Sequence, residues 1–195
     1  MEAAMRRMRF ATFALLLGFC SAAEVADADD AADAWKALRA GGHVALMRHA
    51  DAPGGFGDPP GFRVDDCATQ RNLSEKGRAD AAKIGVQLKR EGIAFEKILS
   101  SPWCRCIDTA RLLNLGTVET AATFGNVVVL RDQREALTTG ARALIAKWAG
   151  RGNLLVATHG ANIQALTGIS PASGEIVVIK GGNDRAEPVG RLLLD

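Results

Sequence analysis

The sequence predicts an α/β protein, a three-layer α/β/α sandwich around a mostly parallel central sheet. Short runs of strand length, Val44–Met47 and Asn153–Thr158, are apolar without polar alternation, as in strands buried on both faces. Stretches with helix caps and stops separate such runs, so strands and helices alternate. With 195 residues, 48% hydrophobic and 24% charged, the chain is long enough for one domain with a sizeable core.

Taken in order, Trp35, Leu38 and the Gly41-Gly42 stop outline a helix at about 33–40. The acidic, alanine-rich stretch 24–33 before it reads as a flexible leader, and the domain proper as 34–195. A strand follows at 43–48. Residues 51–66 hold Gly54, Gly55, Gly57, Pro59, Pro60 and Gly61, a long loop of the kind that borders sites. Ser74 caps a helix to about Lys89, closed by Gly92. Phe95–Leu99 is a strand. Ser101 and Pro102 then start a helix to about Leu113. Val127–Leu130 reads as a Val-rich strand, and Thr138 as the cap of a helix over 139–149. The strand 153–158 leads through His159 into a helix ending near Leu166, with Asn162 helping to cap it. Ile176–Ile179 and Arg191–Leu194 form a hairpin-like pair at one edge.

Residues 1–23 read as an export signal. Arg6, Arg7 and Arg9 precede the apolar run Phe10–Phe19, and Ser21-Ala22-Ala23 offers the small residues of a cleavage site after Ala23. A lipidated Cys20 and an uncleaved anchor rank behind cleavage. The location expected is therefore periplasmic or secreted. The full chain has 24 basic and 22 acidic residues; three Arg and one Glu lie before residue 24, which leaves 21 of each. The apparent basicity thus belongs to the signal and argues for neither nucleic acid nor an anionic membrane, and the signal is the only membrane contact expected. Export permits disulfides. Cys104 and Cys106 are too close in sequence to pair easily, so Cys67 is expected to pair with one of them. The cysteine spacing does not suit zinc.

Three strand ends carry residues suited to a site. The first ends at Arg48-His49, the second leads into a helix start with Arg105, and the third ends at His159. In a parallel sheet these ends share one edge. Two Arg and two His there make a pocket for a dianion, with backbone donors from the helix start behind Ser101-Pro102.

Arg48-His49, then Leu73-Ser74-Glu75-Lys76-Gly77, then Ser100-Ser101-Pro102-Trp103-Cys104-Arg105 with Thr109-Ala110, then Thr158-His159-Gly160 resemble the histidine phosphatase superfamily, also called phosphoglycerate mutase-like. The resemblance spans roughly residues 42–180. The first motif departs from the usual Arg-His-Gly in having Ala50. The resemblance implies a phosphatase in which His49 becomes phosphohistidine, while Arg48, Arg105 and His159 hold the phosphoryl oxygens, without metal or other cofactor. The substrate expected is a small phosphate ester, and the short chain and Gly174-Glu175 resemble an exported type that acts on a sugar phosphate of the lipopolysaccharide core. Loop 51–66 has few charges and gives no basic platform for inositol polyphosphates.

The proton donor is less apparent. The acid-phosphatase branch has an Asp after the second His, where this chain has Gly160. The mutase branch carries a Glu in an insertion, and the 53 residues between Arg105 and His159 leave little room for one. Glu175 is the first choice, Asp51 the second and Glu135 the third; each could equally be an ordinary solvated carboxylate. His43 reads as structural, and Arg71 as a surface residue within reach of the pocket. Two other functions compete with the phosphatase: a binding module that keeps the pocket without catalysis, and a phosphoglycerate mutase, which the export signal disfavours.

Overall fold

The computed structural model describes residues 22–55 and 57–194, with side chains described from residue 29 onward. The export signal lies outside the described residues up to residue 21. Among the described residues no helix is long and apolar enough to cross a membrane.

Six strands form one sheet. They are β1 (His43–Arg48), β2 (Phe95–Ser100), β3 (Val118–Thr120), β4 (Asn153–Thr158), β5 (Ile176–Lys180) and β6 (Pro188–Leu192), in the spatial order β3-β2-β4-β1-β5-β6. The first four are mutually parallel, and β5 runs antiparallel between β1 and β6. The expected α/β/α layering is present. Along β1, Ala45 and Met47 face a core shared with α1 (Ala22–Ala40), α2 (Glu75–Arg90) and α3 (Cys104–Leu112). Val44 and Leu46 face the other, shared with α4 (Arg134–Ala146) and α5 (Gly160–Thr167). Burial on both faces is why these strands show no polar alternation.

Several boundaries differ from the sequence reading. The first helix is continuous from Ala22, so residues 24–33 extend it. Their alanines favour helix, and Ala31, Ala34 and Trp35 pack on the core that Leu192 of β6 joins. Residues 127–130 are a turn, not a strand. Asn126 accepts the Val128 amide on its side chain and the Val129 and Leu130 amides on its carbonyl, while the edge place beside β2 goes to β3. Helix α4 begins at Arg134, and Thr138 lies inside it, its hydroxyl donating to the Arg134 carbonyl. Helix α3 begins at Cys104, and neither Ser101 nor Pro102 is helical. Asn162 caps nothing: it donates to the Gly125 carbonyl and accepts the Val127 amide, pinning that turn to α5.

Cys67 pairs with Cys104, and Cys106 stays a buried free thiol. The bridge ties the end of the long loop to the start of α3 across 37 residues. Replacing both cysteines by Ser is expected to cost about 3 kcal/mol, chiefly by freeing the unfolded chain. Urea unfolding of the Cys67→Ser/Cys104→Ser protein against the oxidised protein measures it, and equal midpoints would refute it.

Candidate active site

The carboxyl ends of β1, β2 and β4 meet at one edge, as the parallel register requires. The His49 amide donates to the Thr158 carbonyl, and the Ser101 amide to the Ala157 carbonyl. Because β5 is antiparallel, its start lies at the same edge, where the Arg48 amide donates to the Glu175 carbonyl. A cleft of about 560 Å³ opens there, walled by residues that include Arg48, His49, Asp51, Arg71, Asn126, His159 and Gln164.

His49 is buried, 3% exposed. Its Nδ1 lies 2.8 Å from the Ala50 carbonyl oxygen, which can only accept, so Nδ1 carries the proton and Nε2 keeps a free lone pair. Burial, opposed by that hydrogen bond and aided by the charges of Arg105, Arg71 and Arg48, lowers its pKa from 6.5 to about 3. The ring is therefore a neutral base at neutral pH, which is the form a nucleophile needs. His159 stands edge-on to it with ring centroids 5.6 Å apart. Its own burial first, then His49 and the same three Arg, hold it neutral as well. Ser101 Oγ, expected as a helix cap, instead lies 2.9 Å from His159 Nε2, and Trp103 packs edge-on against the same ring at 5.5 Å.

Arg48 extends over Gly160 and donates to the Pro171 carbonyl at 2.8 Å. A Cβ at Gly160 would sit 3.3 Å from Arg48 Cδ, so the small residue after the second His leaves the guanidinium its place. Gly77 has a comparable reason. A Cβ there would fall 2.2 Å from the Asp51 carbonyl oxygen, so glycine lets α2 seat against the loop after His49.

Arg105 is placed less openly than the sequence suggested. It is fully buried, does not line the cleft, and is paired with Asp58, whose carboxylate it meets through Nη1 at 2.6 Å and Nη2 at 3.2 Å. It still adds its charge at both histidines. Arg71, read as a surface residue, is half-buried in the cleft wall, donating to the Gly57 and Ala52 carbonyls. Its one sequence cue was its place two residues before the Leu73-Ser74 motif. Asp58 and Ser101 gave no cue to these contacts.

The proposed acids separate clearly. The Glu175 backbone reaches the site edge, but its side chain is outside the cleft: Oε1 accepts from Arg191 at 2.6 Å and Oε2 from the Ala172 amide at 2.6 Å. Glu175 thus holds the 172–175 turn to β6, which corrects the expectation that it faces the pocket. Glu135 is exposed on α4, away from the cleft. Asp51 lines the cleft, and its Oδ2 accepts from Ser74 Oγ at 2.6 Å. Among the described residues no group of His, Cys, Asp and Glu is arranged to hold a metal ion.

Residues 44–125 match the histidine phosphatase superfamily (branch 1). A solved structure of the protein histidine phosphatase SixA complexed with tungstate aligns with 77% of this chain and 96% of its own, at 19% identity and TM-score 0.52. The chain has the histidine phosphatase fold. A phosphoglycerate mutase from Thermus thermophilus shares this fold at 16% identity, with TM-score 0.54 over 78% of this chain and 99% of its own. No curated protein matches the chain in sequence. The motif resemblance read from the sequence is thus borne out for the fold, while the superfamily model matches residues 44–125. In the histidine phosphatase fold observed here, the motif residues Arg48, His49 and His159 line one cleft, while Arg105 is buried behind it against the carbonyl of the cleft residue Arg71.

Proposed function

We propose that the protein is an exported phosphomonoesterase that passes a phosphoryl group through His49. The observation that carries this is the state of His49: neutral, with Nδ1 tied to a carbonyl and Nε2 free, in a cleft shared with Arg48, Arg71 and His159. His49 Nε2 attacks phosphorus and the ester oxygen leaves. Water then cleaves the phosphohistidine, releasing inorganic phosphate. The Arg side chains and His159 take the charge on the equatorial oxygens, a role that needs donors fixed in advance rather than a metal or other cofactor. Asp51 is the carboxylate in the cleft wall and takes the place of Glu175 as the proposed proton donor to the leaving alcohol.

The substrate proposed is a small phosphate ester such as a sugar phosphate, including one of the lipopolysaccharide core. Asn126, Gln164, Ser170 and Ser173 give the cleft an uncharged polar wall that suits hydroxyl groups. Export rests on the residue 1–23 signal, and the Cys67–Cys104 bridge supports an oxidising compartment. One observation favours a second reading. Asp51 is already engaged by Ser74, so a substrate whose leaving group needs little protonation would suit the site; the structural neighbour SixA is a protein histidine phosphatase.

The test is turnover of an aryl phosphate with chelator present, followed by acid-labile, base-stable labelling of the protein. Turnover and label are expected in the wild type and absent in His49→Asn. Asp51→Asn is expected to slow alkyl phosphates more than aryl phosphates, since only the former need a proton. Undiminished turnover in His49→Asn, or its loss with chelator, would overturn the proposal. Binding of phosphate without any turnover would point instead to a pocket that has lost catalysis.

A further inference from the structure

Asp58 comes from the Gly57-Asp58-Pro59-Pro60-Gly61 stretch of the long loop and is spent entirely on its neighbours. Oδ1 accepts from Arg105 Nη1 at 2.6 Å and from the Arg71 amide at 3.0 Å. Oδ2 accepts from Arg105 Nη2 at 3.2 Å and from Trp103 Nε1 at 2.9 Å. Its side chain is fully buried, as is that of Arg105.

The geometry of the guanidinium gives this pairing a consequence. An Arg fork offers carboxylates and phosphates two bidentate edges, the terminal edge of Nη1 with Nη2 and the lateral edge of Nε with Nη2. Asp58 occupies the terminal edge, and the second Nη1 proton goes to the Arg71 carbonyl at 3.2 Å. Nε is buried with no hydrogen-bond partner among the described residues. A buried guanidinium N–H without a partner is costly unless a ligand completes it. The same carboxylate also holds the Arg71 backbone while the Arg71 side chain lines the cleft.

We infer that Asp58 is the positioning residue of the phosphate site: it grips the terminal edge of Arg105 so that the lateral edge is left for two oxygens of a phosphoryl group. This rests on the phosphohydrolase reading above for the identity of the ligand. Trp103 joins the assembly to His159, since it donates to Asp58 and packs its ring against the imidazole.

The test is calorimetric binding of inorganic phosphate to the wild type, Asp58→Asn, Arg105→Lys and the double variant. Asp58→Asn is expected to weaken Kd about tenfold or more, the usual worth of a charge-assisted contact. Arg105→Lys, which has no lateral edge, is expected to weaken it at least as much. Adding Asp58→Asn to Arg105→Lys is expected to change nothing further, because the carboxylate acts through the fork. Trp103→Phe, which keeps the aromatic ring and removes one donor to Asp58, gives a smaller loss and stands in if Asp58→Asn does not fold. A purely structural role would lower the binding stoichiometry with the folded fraction and leave Kd alone. An unchanged Kd in Asp58→Asn and Trp103→Phe, losses that multiply in the double variant, or no phosphate binding by the wild type would each overturn the inference. Labelling of His49 is read separately, so failure here is distinguishable from failure of the phosphatase reading.

Discussion

Arg105→Met is expected to destabilise the protein by about 3–5 kcal/mol, because it leaves the Asp58 carboxylate buried without its counter-ion. Two neutral donors would remain to Asp58, the Arg71 amide and Trp103 Nε1, and neither supplies charge. The pair buries both partners fully, so solvent screening offers little relief. The comparison that isolates the cause is Arg105→Met/Asp58→Leu. Removing both charges together removes the stranded carboxylate, and most of the lost stability is expected to return. Activity is expected to stay lost, since the guanidinium is gone. Urea unfolding of the two variants and the wild type decides it. A double variant no more stable than Arg105→Met would mean that the cost lies in packing.

The second large effect is on pH. His49 has its pKa lowered to about 3, and His159 is lowered well below 6.5. Both titrate near 6.5 once unfolded. Below that value the unfolded state binds protons that the folded state refuses, so stability falls as pH falls. The loss begins near 6.5 and, for His49, continues to about 3. Between pH 7.5 and 5 the His49 ring alone is expected to cost about 2 kcal/mol, since each pH unit well below 6.5 is worth about 1.4 kcal/mol, and His159 adds a loss of the same sign. Denaturant unfolding across that range gives the slope. His49→Gln and His159→Gln should each make the slope shallower, and a slope unaffected by either substitution would show that these rings are not buried neutral. Saturating phosphate should also flatten it, because a bound dianion favours the protonated rings.

Much of the fold was legible because β1 and β4 are buried on both faces and therefore read as unbroken apolar runs. Val127–Leu130 imitated that signal. A run of β-branched residues says that the segment is buried, not that a sheet edge is free to receive it, and here Asn126 and Asn162 take its amides instead. In the site, Arg48, His49 and His159 were legible because strand ends converge by topology. Arg105 was legible as a residue near that edge but not as half of an ion pair, since Asp58 lies 47 residues away in sequence. Glu175 was misjudged for a related reason. Its backbone does approach the pocket, but which way a side chain turns at a strand start depends on partners such as Arg191 that no local pattern announces. Arg71 was passed over because a lone Arg in a loop looks the same whether its neighbours are water or a cleft.

Cys106 bears on how the right bridge is made. Burial first, only partly offset by the charge of Arg105, pushes its thiol up to about 12. At neutral pH the thiol therefore stays protonated, whereas the thiolate is the form that exchanges with disulfides. The choice between Cys104 and Cys106 as partner of Cys67 must therefore be settled before α3 docks on the sheet. Once it has docked, the wrong sulfur is chemically silent. The pairing is then maintained by the packing of the core, with no need for continued proofreading by an oxidoreductase.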